Sequence, residues 1–181
     1  MRPVCLLLTL AVAAVPVAAA AQSQGSAPAS GAVTASRILW QQVTRNITTT
    51  AEELPDSLYA YQPTPEVRTF GQLFGHIAGS QYLFCAAALG EPERAEDAVE
   101  KSTTSKAGLV AALKASTEYC NRAYAQSDSA TTAGTELFGE KQTRLFALIM
   151  NAQHNGEHYG NLVTYLRLNG IVPPSSRPSS P

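Results

Sequence analysis

The chain has 181 residues, with 13 lysines and arginines against 14 aspartates and glutamates, and its formal net charge at pH 7 is −1. This balance excludes the strongly basic surface by which proteins bind nucleic acid. No predicted helix is rich in lysine and arginine on one face, so the sequence does not indicate binding to a membrane surface either. The expected partner is therefore a small-molecule substrate or ligand, which the sequence does not identify.

The first 21 residues have the organisation of a secretory signal peptide. Arg2 precedes an apolar run from Cys5 to Ala21, and Ala19 and Ala21 form an A-x-A cleavage site before Gln22. The alternative is an uncleaved membrane anchor, for which a run of about 17 residues is at the lower limit. We expect cleavage, export to the periplasm or the outside of the cell, and no membrane attachment of the mature chain.

Composition divides the rest of the chain into three parts. Residues 22–33 are small and polar with glycine and proline among them, which is typical of a disordered linker. Residues 173–181, PPSSRPSSP, form a similar flexible tail. The intervening residues 34–172 are sufficient for one domain with a single buried core.

Four segments of this domain show the apolar spacing of amphipathic helices, at every third or fourth residue. Thr34 is a candidate cap for the first helix, and Thr69 with Gln72 has the spacing of a capping box at the second. No alternating pattern indicates a strand, and the helices are predicted at residues 34–54, 70–89, 106–124 and 140–168. Four such helices in one small domain predict an all-α fold, a four-helix bundle.

Two cysteines, Cys85 and Cys120, remain after removal of the signal peptide. In an oxidising compartment they could form a disulfide, or they could be small buried hydrophobic side chains. In an antiparallel pair of helices, Cys85 near the end of one helix would not be level with Cys120 midway along the next. We therefore favour free, buried thiols.

All three histidines of the chain lie in predicted helices. His154 and His158 are four residues apart, so they lie on the same face about 6 Å apart and can chelate one ion. His76 lies inside the second predicted helix, and bundles build metal sites from side chains on facing helices. The alternative is a structural bundle in which the histidines are core residues. We predict one divalent metal ion bound by all three.

Small residues form stripes on two of the predicted helices. By helical angle, the stripe on the second helix lies beside His76, and the stripe on the last helix lies nearly opposite His154 and His158. Glycine destabilises a helix interior by about 0.5–1 kcal/mol relative to alanine, so each stripe is expected to face a close neighbour. For the last helix we favour another helix of the bundle, with a second copy in a homodimer as the alternative. The stripes are Gly71, Gly75 and Gly79, and Ala152, Gly156 and Gly160.

Two segments resemble the DinB-like family: FGQLFGHIAGSQYLFCAAALGE around His76, and HNGEHYGNLVTYLRLNGIVPPSS from His154. The likeness extends from Thr34 to Ser176. It implies an up-down-down-up four-helix bundle of the DinB-like type. In that family one ligand comes from the second helix and an H-x-x-x-H pair comes from the last, which correspond here to His76, His154 and His158. Similar proteins include mycothiol-dependent isomerases and bacillithiol transferases.

Three neutral imidazoles leave coordination positions open for water or substrate, which is the pattern of a catalytic rather than a closed structural site. Zinc or nickel is the expected ion because both suit imidazole ligands, with iron or manganese as alternatives. We expect four polar or aromatic residues to line the pocket: Asn151, Asn161, Tyr165 and Tyr61.

These observations favour a metal-dependent hydrolase or a thiol-linked transferase. No catalytic acid or base is evident beside the histidines. The alternative is therefore a non-catalytic exported bundle that binds a metal or another small ligand.

Overall fold

The computed structural model describes residues 31–178, most of which are helical. This part of the chain contains three single 3-10 turns, at Asp56–Leu58, Ala130–Thr132 and Pro174–Ser176. Its other elements are α1 (Ala32–Glu53), α2 (Phe70–Leu89), α3 (Ala98–Ser102), α4 (Lys106–Tyr124), β1 (Gly134–Leu137), β2 (Glu140–Thr143) and α5 (Arg144–Leu168). The four long helices form the bundle, and the short α3 lies in the connection between α2 and α4.

The first and last helices of the bundle run parallel. The hydroxyl of Ser36 in α1 donates to the carbonyl oxygen of Leu148 in α5 at 3.3 Å. Further along both helices, Nδ2 of Asn155 donates to Oγ1 of Thr44 at 3.2 Å. Residue numbers therefore rise together along α1 and α5.

The two middle helices are also parallel to each other. Nε2 of Gln81 in α2 donates to the hydroxyl of Ser116 in α4 at 2.9 Å. Nearer the C-terminal ends, Nε2 of Gln126 donates to the carbonyl oxygen of Ala88 at 3.0 Å. A parallel pair needs a long return connection, and residues 90–105 provide it.

The two pairs run in opposite directions. Nε2 of His76, in the first half of α2, lies 3.1 Å from Nε2 of His158. Cys85, near the end of α2, lies beside Asn151, which is earlier in α5. The helix order is up, down, down, up, so the predicted all-α bundle with this topology is confirmed.

The prediction of free thiols is wrong, because Cys85 and Cys120 form a disulfide with their Cα atoms 5.3 Å apart. That prediction assumed an antiparallel pair of helices. In the parallel pair, each cysteine lies four residues before the last residue of its helix, Leu89 or Tyr124, so the two are level.

The predicted capping box at the start of α2 is confirmed. The backbone N–H of Gln72 donates to Oγ1 of Thr69 at 3.1 Å, and the N–H of Thr69 donates to Oε1 of Gln72 at 2.9 Å. Gly90 ends the helix with a φ of 71°, a left-handed conformation that glycine adopts without a steric penalty. The start and the end of α2 are thus determined by residues at its own termini.

The start of α1 differs from the prediction, and Thr34 is not its cap. Gly31 occupies the N-cap position and provides no side chain for capping. The carboxylate of Asp128 instead accepts hydrogen bonds from the N–H groups of Ala32 and Val33, at 3.1 and 2.9 Å. Local spacing did not indicate this cap because Asp128 is distant in the sequence.

A β-hairpin precedes α5, where the sequence analysis predicted no strand and placed the helix start at residue 140. Strands β1 and β2 pair antiparallel, and the turn residues Phe138 and Gly139 have φ values of 55° and 78°. Thr143 then caps α5 by accepting from the N–H of Phe146 at 3.2 Å. The hairpin was missed because each strand has four residues and only Leu137 is buried.

Helix α2 is the central element of the core, with 16 of its 20 residues buried. One apolar cluster includes Phe70 and Phe74 of α2, and a second includes Phe84 further along the same helix. His76 follows the phenylalanines of the first cluster and precedes Phe84. The histidines therefore lie in a largely buried part of the bundle.

The predicted signal peptide and most of the predicted linker lie outside residues 31–178. At the other end, residues predicted as a flexible tail make contacts, since the hydroxyl of Tyr159 donates to Oγ of Ser175 at 3.0 Å. Within residues 31–178, none of the helices combines the length and the apolar character needed to span a membrane.

Candidate metal centre

His76 of α2 and the histidine pair of α5 converge on one point. Nε2 of His158 lies 3.1 Å from Nε2 of His76 and 3.1 Å from Nε2 of His154. One ligand atom from each residue lies within 4.8 Å of the others. In a tetrahedral zinc site with bonds of about 2.0–2.1 Å, two ligand atoms are about 3.4 Å apart. The cluster therefore has the dimensions of a site for one ion.

Electrostatics keep the three rings neutral. Burial is the main cause that lowers the pKa of each histidine from its ordinary value of 6.5 to about 4. The positive charge of Arg68 and a neighbouring imidazole lower each pKa further. Neutral imidazole is the form that binds metal ions, so all three side chains are ready to do so at neutral pH.

The outward-facing nitrogens of the rings also fit metal binding. A histidine that binds through Nε2 usually donates its Nδ1 hydrogen to a carboxylate, a carbonyl or water. The buried Nδ1 atoms of His76 and His154 have no hydrogen-bond partner among the described residues, and Oε2 of Glu100 lies 3.8 Å from the first of them. The side-chain amide of Asn161 lies 3.3 Å from Nδ1 of His158. Glu100 is thus a potential acceptor for His76, whereas the atom of Asn161 nearest to His158 is the donor Nδ2, so Asn161 accepts from this ring only with its amide turned to present Oδ1.

Two glutamates that the sequence analysis did not single out lie beside the cluster. Oε1 of Glu96 lies 3.7 Å from Nε2 of His154 and 3.9 Å from Nε2 of His76. Glu96 belongs to the connection between α2 and α4, and Glu100 belongs to α3 within it. No spacing motif indicates these residues, because only the path of the connection across α2 brings them to the histidines.

The glycines of α2 permit this close approach. A Cβ atom at Gly79 would overlap the backbone carbonyl of Glu96, and one at Gly75 would lie 2.8 Å from Cα of Glu100. The expectation that this stripe faces a close neighbour is confirmed. The neighbour of Gly75 and Gly79 is the connection that carries the two glutamates, and Gly71 lies against the backbone of Tyr59.

An open cavity of about 630 Å³ adjoins His158. Asn161 and Tyr165, two of the four residues expected to line the pocket, lie in its wall together with Arg68 and Glu100. The hydroxyl of Tyr165 donates to the carbonyl oxygen of Arg68 at 3.0 Å. The cavity gives a small molecule access to one side of the histidine cluster.

The other two expected residues, Asn151 and Tyr61, lie elsewhere. Asn151 is fully buried, and its Nδ2 lies 3.4 Å from Sγ of Cys85 and 3.4 Å from the hydroxyl of Tyr124. The ring of Tyr61 packs edge-on against Tyr165, with centroids 6.2 Å apart. Tyr61 therefore supports a residue of the cavity wall.

The small-residue stripe of α5 faces away from the histidines. Ala152 and Gly156 border an open groove between α5 and α1, but no described atom packs on the glycines. A Cβ atom at Gly156 or Gly160 would have no described atom within 4 Å. Leu39 and Ile149 near this face are 62% and 47% exposed. The prediction that these glycines pack within the bundle is therefore wrong, because the bundle contacts other faces of α5. The homodimer remains a prediction.

Solved structures of similar fold include proteins with named activities. A DinB-like protein from Bacillus cereus matches with a TM-score of 0.65 at 18% identity, over 77% of this chain and 93% of that one. YfiT from Bacillus subtilis, described as a probable metal-dependent hydrolase with an unusual four-helix bundle topology, matches with a TM-score of 0.61 at 17% identity, over 77% of this chain and 88% of its own. The mycothiol-dependent maleylpyruvate isomerase matches with a TM-score of 0.61 at 17% identity, over 72% of this chain and 60% of its own. At these identities the likeness establishes the fold.

Sequence comparison supplies the family. No curated protein matches the chain. A profile of the DinB superfamily matches residues 39–162, a range that contains all three histidines. The resemblance noted from the sequence is confirmed, and the chain belongs to the DinB superfamily.

Proposed function

We propose that this protein binds one divalent metal ion through Nε2 of His76, His154 and His158. The observation that carries the proposal is the convergence of three neutral, buried imidazole nitrogens on one point beside an open cavity. Zinc and nickel suit these ligands best, and iron or manganese is the alternative. The description of YfiT as metal-dependent supports the same reading from a protein of similar fold.

The reaction that we propose is metal-dependent hydrolysis of a small molecule. A divalent ion in such a site polarises a carbonyl group and lowers the pKa of water toward neutrality. The chain itself holds the ion with the three rings and orients His158 through Asn161. Arg68 and Tyr165 form part of the cavity wall against which a substrate would lie. Thiol-linked transfer is the second reaction class, supported by the fold shared with a mycothiol-dependent isomerase.

Export is part of the proposal and bears on this choice. It is supported by the A-x-A site before Gln22 and by the disulfide between Cys85 and Cys120, because disulfides persist in oxidising compartments and are rare in the cytosol. Outside the cytosol the protein would not meet the pool of low-molecular-weight thiols. Hydrolysis is therefore favoured over thiol-linked transfer.

A metal titration of protein purified without a histidine tag tests the site. We expect one zinc or nickel ion per chain by isothermal titration calorimetry. His154→Ala should weaken binding by more than about 100-fold, since loss of a ligand exceeds the effect of losing an outer partner of a ligand. Gln153→Ala changes an exposed neighbour on α5 and should bind as the wild type does. Wild-type protein that stays metal-free with excess ion at neutral pH would overturn the proposal.

Activity screening of the metal-loaded protein then tests the reaction. Hydrolysis of esters or amides that needs no added thiol and stops with a chelator would support the hydrolase. Activity toward electrophiles only in the presence of a thiol would instead establish the transferase. A metal-loaded protein inactive in both screens would be the non-catalytic binding protein.

A further inference from the structure

One side of the histidine cluster is covered by the connection between α2 and α4, and a carboxylate on that connection faces the ring nitrogens. Oε1 of Glu96 lies 3.7 Å from Nε2 of His154 and 3.9 Å from Nε2 of His76. These are the same atoms that converge on the proposed ion. Glu100, one turn later, lies near Nδ1 of His76 instead, and Glu93 is exposed.

Glu96 is positioned by contacts from buried parts of the bundle. The hydroxyl of Ser80, a fully buried residue of α2, donates to Oε1 of Glu96 at 2.8 Å. The backbone of Glu96 lies directly against Gly79, where a Cβ atom would overlap its carbonyl oxygen. The following turn is fixed by an ion pair between Arg68 and Glu100, with Nε and Oε1 3.1 Å apart. The carboxylate is therefore held toward the histidines.

The distances are close to those between two ligands of one ion. Ligand atoms of a tetrahedral zinc site are about 3.4 Å apart when the bonds are about 2.0–2.1 Å long. The separations of 3.7 and 3.9 Å for Glu96 exceed that value by about half an ångström or less. Glu96 is therefore near ligand distance of two of the three histidines, His154 and His76.

Charge favours the same arrangement. Three neutral imidazoles leave the double positive charge of the ion without compensation, and charge inside a protein is costly unless it is paired. A carboxylate is a common zinc ligand beside histidine and supplies a negative charge at the ion. The oxygen that accepts from Ser80 has a second lone pair free for the ion.

We propose that Glu96 is a fourth ligand of the divalent ion, so that metal binding fastens the connection between α2 and α4 onto the bundle. The proposal rests on the three-histidine site proposed above. With Glu96 on one side of the ion, a small molecule reaches it from the cavity beside His158.

Two substitutions that remove the same charge three residues apart test this assignment. Glu96→Gln keeps the size of the side chain and an oxygen that can accept from Ser80. Glu93→Gln is the matched control. Zinc affinity should fall by more than about 100-fold in Glu96→Gln, because losing a ligand exceeds the 10- to 100-fold effect of losing an outer partner of a ligand. The visible spectrum of the Co²⁺-loaded protein should change in the same variant, and Glu93→Gln should match the wild type in both measurements.

Amide hydrogen exchange tests the same assignment without an activity assay, because it compares the protein with and without zinc. In the wild type, zinc should slow amide exchange across residues 91–105, and in Glu96→Gln this protection should be lost. If the wild type binds zinc and Glu96→Gln shows the same affinity, spectrum and protection, the assignment of Glu96 is wrong while the histidine site stands. If the wild type binds no metal, the proposed function itself fails.

Discussion

Two helices of this bundle, α2 and α5, carry stripes of small residues at every fourth position, and the two stripes have different surroundings. In α2, the backbone of the connection to α4 lies directly against Gly75 and Gly79 and carries Glu96 and Glu100 to the histidines. In α5, the side of the helix at Gly156 has no described atom within reach of a Cβ. A stripe of small residues therefore predicts that something can approach closely. It does not say what approaches, because the neighbour is encoded elsewhere in the chain.

The largest predicted effect is the loss of stability when one methyl group is added to the stripe of α2. Gly79→Ala places a Cβ atom on the carbonyl oxygen of Glu96, so the connection must move outward. Overpacking of this kind destabilises a protein by about 1–3 kcal/mol, and the displaced Glu96 should also weaken zinc binding. Urea unfolding and zinc titration measure the two effects. Unchanged stability and zinc affinity would show that the connection does not pack on α2 as described.

The stability of the metal-free protein should fall as the pH is lowered, because of its buried histidines. In the metal-free folded protein, burial lowers the pKa of His154 to about 4 from 6.5, so the unfolded chain binds a proton first as pH falls. The stability that this histidine contributes is fully present above about pH 6.5 and is lost between about pH 6.5 and 4. The free energy of unfolding should therefore fall over this range, and less steeply in His154→Asn. Equal slopes in the two proteins would contradict the buried, neutral state of the ring.

The same shift sharpens the pH dependence of metal binding. Protons compete with the ion only when they bind to the folded, metal-free rings, whose pKa is about 4 in each case. Zinc affinity should therefore stay nearly constant from pH 7 to about pH 5 and fall below that. A fall centred near pH 6.5 would mean that the rings are as exposed as free histidine.

On the open face, a large side chain tests the predicted homodimer. Gly156→Leu leaves the metal ligands untouched and has room in the monomer, so zinc affinity should equal that of the wild type. If a second copy covers this face, the substitution should weaken self-association in sedimentation equilibrium. An unchanged association, or a monomeric wild type, would reject a homodimer formed through this surface.

The smallest effect should have the opposite sign. Gly160→Ala replaces an exposed glycine inside α5 where a Cβ meets open space, so it should stabilise the protein by about 0.5–1 kcal/mol. Measuring the free energy of unfolding in urea for both Gly160→Ala and Gly79→Ala compares the two stripes directly. A loss of stability in Gly160→Ala would reveal a neighbour on this face.

Features set by short-range sequence signals were predictable. The bounds of α2 and α4 agree with the prediction, because Thr69, Gln72 and Ser105 cap their own helices. Features that depend on contacts between residues distant in the sequence were not predicted. Asp128 caps α1 although it lies 96 residues after Ala32 in the sequence, and Cys85 meets Cys120 only because their helices run parallel.

The candidate site divides in the same way. His154 and His158 share a helix face by spacing alone, and the fold brings His76 to them. Asn151 lies on the same face of α5 as His154 and His158 but up to two turns earlier, where it meets the disulfide instead of the cavity. Periodicity predicts the face of a residue, but not how far along the helix a cavity extends. Glu96 and Glu100 carry no motif and were missed, since their place depends on how the connection crosses the glycines of α2.

The most direct test of the metal centre is a crystal structure of the zinc-soaked protein with anomalous scattering at the zinc edge. We predict one strong peak in each chain, about 2.0–2.1 Å from Nε2 of His76, His154 and His158. An absent peak at this position, in crystals grown at neutral pH with excess zinc, would contradict the account.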